Sequence, residues 1–433
     1  MDYFIDPVLR APMIGSMLMC LSAALVGVIV FLKKQSLIGE ALSHAAYPGV
    51  VIGVIGMGLL YGDTASYEYS GLFMLTGAFF TALLGVKLIN FLEKMGVNTD
   101  AALCFTLSFF FGIGITLASH IQFSYSNLYR QTQIYFYGQA ATMTDIHILI
   151  YSGLVLFILV CLYFLNKEFK AWIFDPIYAQ VLGIRIKLLE AIFLLLVGLS
   201  IVIGIRSVGV VLMSAMLIAP AAAAKQCTSN FKHMFTIAGF FGLMSATLGT
   251  FVANEASLNM GHRTSLPTGP LIVLIASIIC VLTLLFAKEK GLVIRFLRIL
   301  KFRSICLKEN LLKTLWRQEK KATFTSLKEH LYVPSWYLKW SLFCLIKDGW
   351  LEKKGEKYCL TEDGNTRAKR VVRLHRLWEL YLADYVGIGP LRVHSSAEEM
   401  EHILSPELEE ELDFLLQNPQ EDPHHQPIPP RDS

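Results

Sequence analysis

The sequence predicts an all-α polytopic membrane domain of about nine transmembrane helices, followed by a soluble domain of short helices and one small hairpin. Three observations carry this. First, 54% of the 433 residues are apolar and the mean hydropathy is +0.52, too apolar for a water-soluble globule of this length. Second, apolar stretches long enough to cross about 30 Å of hydrocarbon as helix recur as far as Lys288. Third, from about Lys301 the chain becomes charged and amphipathic, ending in segments such as Glu398-Glu399-Met400-Glu401-His402.

The spans are placed near 13–32, 44–61, 71–92, 101–118, 146–165, 188–205, 208–224, 233–253 and 269–287, the second and seventh being short enough for re-entrant segments. Short cytoplasmic connections are enriched in Lys and Arg. Basic residues fall in every second connection: Lys33-Lys34, Lys94, then Lys167, Lys170, Arg185 and Lys187, then Lys225 and Lys232, then Lys288 and Lys290. This alternation predicts an N-terminus outside and a C-terminus in the cytoplasm, the orientation expected if the chain is a multi-pass protein of a bacterial inner membrane. The start Met1-Asp2-Tyr3-Phe4 has no basic n-region, so the first apolar run is read as a retained span. Eight cysteines without a CxxC pair indicate neither a disulfide framework nor a zinc ribbon.

The membrane domain is assigned to 1–290 and a basic amphipathic linker to 291–305, suited to lying on the inner membrane face. A helix at 307–318, a short helix at 326–331 and a third opening at Pro334-Ser335 precede a hairpin of 350–354 and 357–361 around Gly355-Glu356. Three helices and a two-stranded wing are the order of a winged helix-turn-helix, assigned to 306–364. A long helix from about Asn365 to Tyr385 opens the last region, 365–433.

In Gly39-Glu40-Ala41-Leu42-Ser43-His44, a helix places Glu40 and His44 one turn apart, where a carboxylate and an imidazole can share a divalent cation. The alternative is an interfacial cap at Glu40 and a packed His44. Asp145 and His147 are expected to serve as a helix cap and an interfacial residue, and His120 is a weak candidate.

The string around His44 resembles the signature of ABC-type permeases for divalent metal ions such as manganese, zinc and iron. The resemblance extends through Asn98-Thr99-Asp100-Ala101-Ala102, Phe174-Asp175-Pro176-Ile177-Tyr178-Ala179 with Leu182-Gly183, Ser207-Val208-Gly209, Ala219-Pro220-Ala221 and Leu266-Pro267-Thr268-Gly269-Pro270. It implies a homodimeric permease in the membrane lipid, served by a separate ABC ATPase and an extracytoplasmic metal-binding protein. It also implies a translocation path through Glu40 and His44 and an ATPase-coupling element at Phe174, Asp175, Pro176, Tyr178, Ala179, Leu182 and Gly183. The family commonly has Asp where this chain has Glu40. No GxxxxGK[ST] loop occurs, which agrees with ATP hydrolysis on another subunit and with a chain that is not itself an enzyme. No tightly bound metal is expected in the membrane domain.

In the soluble half, His375 and Glu379 stand one turn apart, and Glu398, Glu401 and His402 follow at i, i+3 and i+4 with His394 just before them. Such mixed nitrogen and oxygen faces suit manganese or ferrous iron rather than thiolate-bound zinc. With Leu360-Thr361-Glu362-Asp363-Gly364, Glu407-Leu408-Glu409 and Asn418-Pro419 through Pro427-Ile428-Pro429, this half resembles the diphtheria-toxin-repressor class of metal-dependent regulators. The resemblance implies a helical metal-binding and dimerisation domain over 365–433, with His375, Glu379, His394, Glu398, Glu401 and His402 as ligands to Fe2+ or Mn2+. The family's first-helix ligands align with Asn310 and Lys313, and a protonated lysine cannot ligate. Operator DNA is then the expected partner, read by Ser335, Trp336 and Lys339, with Lys353, Lys354 and Lys357 of the wing on phosphates. Two rival expectations stand beside this: a soluble half that gates transport by sensing metal without touching DNA, and a membrane half that is only an anchor. The basic stretch Arg295 to Arg303 is also a candidate site for proteolytic release.

Overall fold

The computed structural model describes residues 6–61, 67–124, 126–259, 266–318, 321–387, 402 and 406–430. Two compact units divide at Ile294 and Arg295.

In the first unit the helices are α1 (Pro7–Leu32), α2 (Ser36–Tyr61), α3 (Tyr67–Lys94), α4 (Thr99–Ser124), α5 (Ser126–Tyr137), α6 (Asp145–Phe164), α7 (Asn166–Phe174), α8 (Pro176–Val181), α9 (Ile186–Val208), α10 (Met213–Cys227), α11 (Phe231–Asn259) and α12 (Thr268–Phe286). Among the described residues, eight of these are long and apolar enough to cross a membrane, one fewer than the sequence predicts. The predicted span at 208–224 is α10, whose 15 residues reach only about 22 Å at about 1.5 Å per residue. It reads as a span because it is enclosed: Met213, Met216, Leu217, Ala221 and Ala223 are all fully buried. The other short prediction, 44–61, is the reverse case, since its helix begins eight residues earlier and has 26 residues. The connection His120 to Gln139 holds an unpredicted helix, α5, whose sequence SNLYRQTQIYFY is too short and polar to announce itself as a span.

Burial grades the spans. The apolar windows of α1 and α2 are 72% and 78% buried, whereas those of α6 and α12 are 28% buried and leave Leu156, Phe157 and Leu282 outward. Without a hydrophobic drive between helices in lipid, close backbone approach supplies the packing. At the α2–α3 crossing, a Cβ on Gly49 would collide with the carbonyl of Gly77, and one on Gly53 would meet the carbonyl of Phe73 at 2.5 Å. The helix that carries Glu40 and His44 is thus centred in the unit and gripped by its neighbours.

In the second unit, α13 (Leu292–Arg317) joins in one helix the segment predicted as a linker and the first helix of the soluble domain. The 291–305 linker, read from the sequence as an amphipathic helix, is helical from Leu292 and runs on without a break into the helix expected at 307–318. There follow β1 (Lys321–Thr323), α14 (Phe324–Leu331), α15 (Ser335–Lys347), β2 (Leu351–Lys354), β3 (Lys357–Leu360), α16 (Glu362–Asp384) and α17 (Pro406–Leu415). The sheet order is β1-β3-β2, both pairs antiparallel, with Lys321 opposite Cys359 and Leu351 opposite Leu360. The predicted hairpin is present, and β1 is an addition too short to show a pattern. Gly355, at φ +66°, makes the turn.

Leu311, Leu312, Leu315, Leu327, Leu338, Leu342, Leu345 and Ala368 form one core, each large aliphatic contributing about 1.5–3 kcal/mol. The α16 start is fixed by Thr361, whose Oγ1 accepts from Gly364 N at 3.1 Å and donates to Gly349 O at 2.8 Å. From there α16 presents Arg370, Arg373 and Arg376 at i, i+3 and i+6. Arg370 Nη2 pairs with Glu409 Oε2 at 3.1 Å. Arg373 donates to Asp413 Oδ1 at 2.6 Å and to Pro429 O at 2.7 Å. Arg376 donates to Pro427 O and to Gln426 Oε1. Asp422 Oδ1 accepts from His424 N and Gln426 N, both at 2.8 Å. This ladder fastens α17 and the 418–430 segment to α16, with Arg373, Arg376, Glu409, Asp413 and Asp422 buried.

Candidate functional site

The membrane candidate is the second and third turns of α2. Ser43 Oγ donates to Gly39 O at 2.7 Å, tying off a hydroxyl that would otherwise compete inside the helix. His44 is only 8% exposed, its ring 4.8 Å from that of Phe111 in an edge-on contact, and its buried Nδ1 has no hydrogen-bond partner among the described residues. Glu40, half-buried, lies one turn before it. A buried imidazole nitrogen without a partner costs free energy, and a neutral imidazole with a carboxylate one turn away offers a divalent ion a nitrogen and an oxygen donor. The ring thus packs against Phe111 while its Nδ1 is left without a hydrogen bond among the described residues.

His147 lies in the first turn of α6, as expected, but Asp145 is not the cap of that helix. Thr144, not Asp145, precedes α6, and its N–H donates to His147 Nδ1 at 3.1 Å. Asp145 pairs instead with Arg10 Nη2 at 2.7 Å.

The segment 174–183 is compact and outward-facing. Asp175 caps α8, its Oδ1 accepting from Tyr178 N at 2.9 Å, with Pro176 at the first helical position. Ala179 is fully buried, and Gly183 turns the chain at φ +78°. Phe174, Ile177, Tyr178, Val181 and Leu182 are exposed. Beneath it, Phe169 and Trp172 of α7 are buried, and Lys33 Nζ lies 4.0 Å over the Trp172 ring. Burial lowers the Lys33 pKa, and Glu190 works against that fall. A cleft of about 1140 Å³ lined by Lys167, Lys170, Phe174, Asn230, Phe231 and Lys232 borders the segment.

In the soluble unit, His375 Nε2 and Glu379 Oε1 are 3.2 Å apart and both are buried on α16. His402 Nδ1 is 2.7 Å from Glu309 Oε2, and Arg367 Nη2 is 3.6 Å from Glu309 Oε1. His394, Glu398 and Glu401 lie outside the described residues. Among the described residues no three of His, Cys, Asp and Glu come together, so the predicted ligand set is represented by two pairs, His375–Glu379 and His402–Glu309.

Glu309 is the residue in contact with a predicted ligand that sequence reading misses. It directly precedes Asn310, the position aligned with the family's first-helix ligand, and reaches His402 from α13. Its signal was available as an acidic residue amid the basic face of that helix. The Asn310 Oδ1 is buried without a hydrogen-bond partner, and Lys313 is 4% exposed. A carboxylate, an orphan amide oxygen and imidazoles are a donor set that fits a hard to borderline divalent ion.

On α15, Leu338, Leu342 and Leu345 are buried and Lys339 is exposed, as predicted. Ser335 is half-buried, whereas Trp336 is 73% exposed, together with Trp340 and Phe343. Lys353, Lys354 and Lys357 are exposed, and Lys354 Nζ is 3.0 Å from Glu352 Oε2, an interaction that raises its pKa.

Comparison with known proteins agrees with this division. Residues 5–287 match the ABC 3 transport family, and residues 361–430 match the iron dependent repressor, metal binding and dimerisation domain. A probable metal transport system membrane protein of Chlamydia pneumoniae is 35% identical, over 98% of each chain. The manganese transport system membrane protein MntC of Bacillus subtilis is 30% identical over 85% of this chain and 82% of its own. The zinc transport system membrane protein TroC of Treponema pallidum is 32% identical over 69% and 95%. The solved structure of PsaBC from Streptococcus pneumoniae in complex with Fab aligns with a TM-score of 0.57 at 25% identity, covering 69% of this chain and 97% of that one. With a family model spanning well over half its length and a relative matched from end to end, the chain belongs to the ABC 3 transport family, as a metal permease with a repressor-like metal-binding domain fused behind it.

Proposed function

We propose that the chain is the membrane subunit of an ATP-driven importer of a divalent metal, and that its soluble unit senses that ion in the cytoplasm and regulates its entry. The observation that carries the reading is the buried His44 imidazole, one turn from Glu40 on the central helix, with an unsatisfied Nδ1. Ions passing such a site exchange hydration for protein donors and must leave again, which favours few ligands over a complete cage. The alternation of basic connections supports an inner-membrane orientation with the N-terminus outside. The exposed apolar helix Pro176–Val181 and its bordering cleft support docking of a separate ATPase, and the two-fold habit of such permeases supports a homodimer. An extracytoplasmic metal-binding protein would deliver the ion.

For the sensor, His375, Glu379, Glu309 and His402 are the described donors that would hold Mn2+ or Fe2+, joined by His394, Glu398 and Glu401. Binding there exchanges the Glu309–His402 pair for metal bonds and ties the first helix of the unit to the rest. Metal-dependent uptake into vesicles containing the permease and its ATPase tests the transport reading: His44→Ala should abolish uptake, and unchanged uptake would remove the path assignment.

A second reading, in which the soluble unit binds operator DNA as a repressor, is favoured by the three-helix and hairpin order and by exposed Lys339, Lys353, Lys354 and Lys357. Gel-shift assays of the full chain in detergent with genomic fragments, with and without Mn2+ or Fe2+, decide it. Metal-dependent retention of one fragment supports the repressor, and none under any condition excludes it.

A further inference from the structure

We propose that the exposed face of α15 is a membrane-docking surface, seated at the interface of an anionic bilayer. Trp336, Trp340 and Phe343 follow at i, i+4 and i+7, so they form one stripe, and they are 73%, 49% and 66% exposed. Tyr332, just before the helix, is 92% exposed with its backbone in the left-handed region. Lys339 and Lys347 flank the stripe, and the wing adds Lys353, Lys354 and Lys357. Large aromatic rings beside lysines have the chemistry of the bilayer interface, where the ring sits at headgroup level and the ammonium meets lipid phosphate.

Base readers have different chemistry. Side chains that read base edges are forked donors and acceptors such as Arg, Asn and Gln, whereas two indoles and a phenyl ring offer a duplex groove one N–H donor each at most. The core does not need these rings, because Leu338, Leu342 and Leu345 on the opposite face are already buried. The occupant follows from the chain itself: the helix belongs to a polypeptide whose last span ends at Phe286, so the unit is held near lipid at high effective concentration. The inference goes beyond the sensor reading and stands whether or not that reading does, since it uses no metal ligand.

The test uses the full chain in nanodiscs of phosphatidylcholine with phosphatidylglycerol carrying brominated acyl chains, which quench tryptophan within the interface. Of the six tryptophans, Trp336 and Trp340 are the ones the proposal places in lipid. The double variant Trp336→Phe/Trp340→Phe, conservative at exposed positions, should lose at least about half of the quenchable fluorescence, as expected for interfacial rings. Lys339→Glu/Lys347→Glu, which leaves all six rings in place, should lower quenching, as should replacing phosphatidylglycerol with brominated phosphatidylcholine. Quenching unchanged in the double tryptophan variant overturns the proposal. So does protection of these rings from aqueous acrylamide without lipid quenching, which assigns the face to a protein partner, or to DNA if the protection appears only when duplex is added. Metal uptake is measured in parallel, so that failure of docking is read separately from failure of transport.

Discussion

Both units bury ionisable side chains, but they treat them in opposite ways. On α2 of the membrane unit, His44 is buried with an imidazole nitrogen unsatisfied. In the soluble unit, His375 is beside Glu379, Arg373 beside Asp413, Arg376 beside Asp422 and His402 beside Glu309. A buried group left open holds free energy ready for a passing ion. A buried group closed by its partner must exchange one stable state for another, which is what a switch requires. The contrast is what the proposed roles of path and sensor would require.

The largest expected effect tests the closed half of that contrast. Removing one member of a buried pair leaves an uncompensated charge, at a cost of about 3–5 kcal/mol. Arg373→Ala strips Asp413 and the Pro429 carbonyl of their donor. It should unfasten α17 and the 418–430 segment, seen as rapid proteolysis within 406–430, while the membrane unit of the same chain stays intact. Proteolysis at the wild-type rate would mean the ladder is ornamental.

The open half is tested by His44→Ala. Losing even an outer-shell partner of a bound metal typically costs roughly 10–100-fold, and His44 is proposed as a direct donor, so uptake should fall at least that far. Stability should change little, because no hydrogen bond to Nδ1 is lost. A variant that transports normally, or one that fails only because it unfolds, would return His44 to the class of packing residues.

Glu309→Ala falls between the two. It breaks the 2.7 Å contact with His402 and removes an oxygen donor, so metal affinity of the full chain, measured by equilibrium dialysis, should drop about tenfold, and the metal concentration at which uptake responds to cytoplasmic ion should shift by the same factor. Full affinity in this variant would assign the first-helix contribution to Asn310 instead.

Much of this contrast was legible beforehand, and the exceptions have physical causes. Span positions followed from apolar runs because lipid demands them, but α10 was over-read, since full enclosure by protein gives the same composition as exposure to lipid. The soluble helices and wing followed from periodicity and from the turn at Gly355. Pairings such as Arg373 with Asp413, 40 residues apart in sequence, carry no local pattern, although Arg370, Arg373 and Arg376 at helical spacing opposite the acidic run Glu407 to Asp413 were a usable hint. Glu309 escaped because alignment points one residue further on, to Asn310, and only the rotation of α13 shows which of the two reaches His402.

The smallest expected effect lies at a place where the membrane unit behaves like the soluble one, with a polar group engaged by its neighbour. Asp175 accepts from Tyr178 N and opens a helix of six residues, too short to be stable by propagation alone. Replacing a capping Asp with Ala costs about 0.5–2 kcal/mol, which is little against the whole fold but a large share of what holds so short a helix. Asp175→Ala should therefore leave expression and metal affinity unchanged while weakening co-purification of the ATPase severalfold, and Asp175→Asn, which keeps the acceptor without the charge, should restore it. If Asn fails to rescue, the carboxylate is used in contact with the ATPase rather than in shaping α8, and the engaged polar groups of the two units then serve different ends.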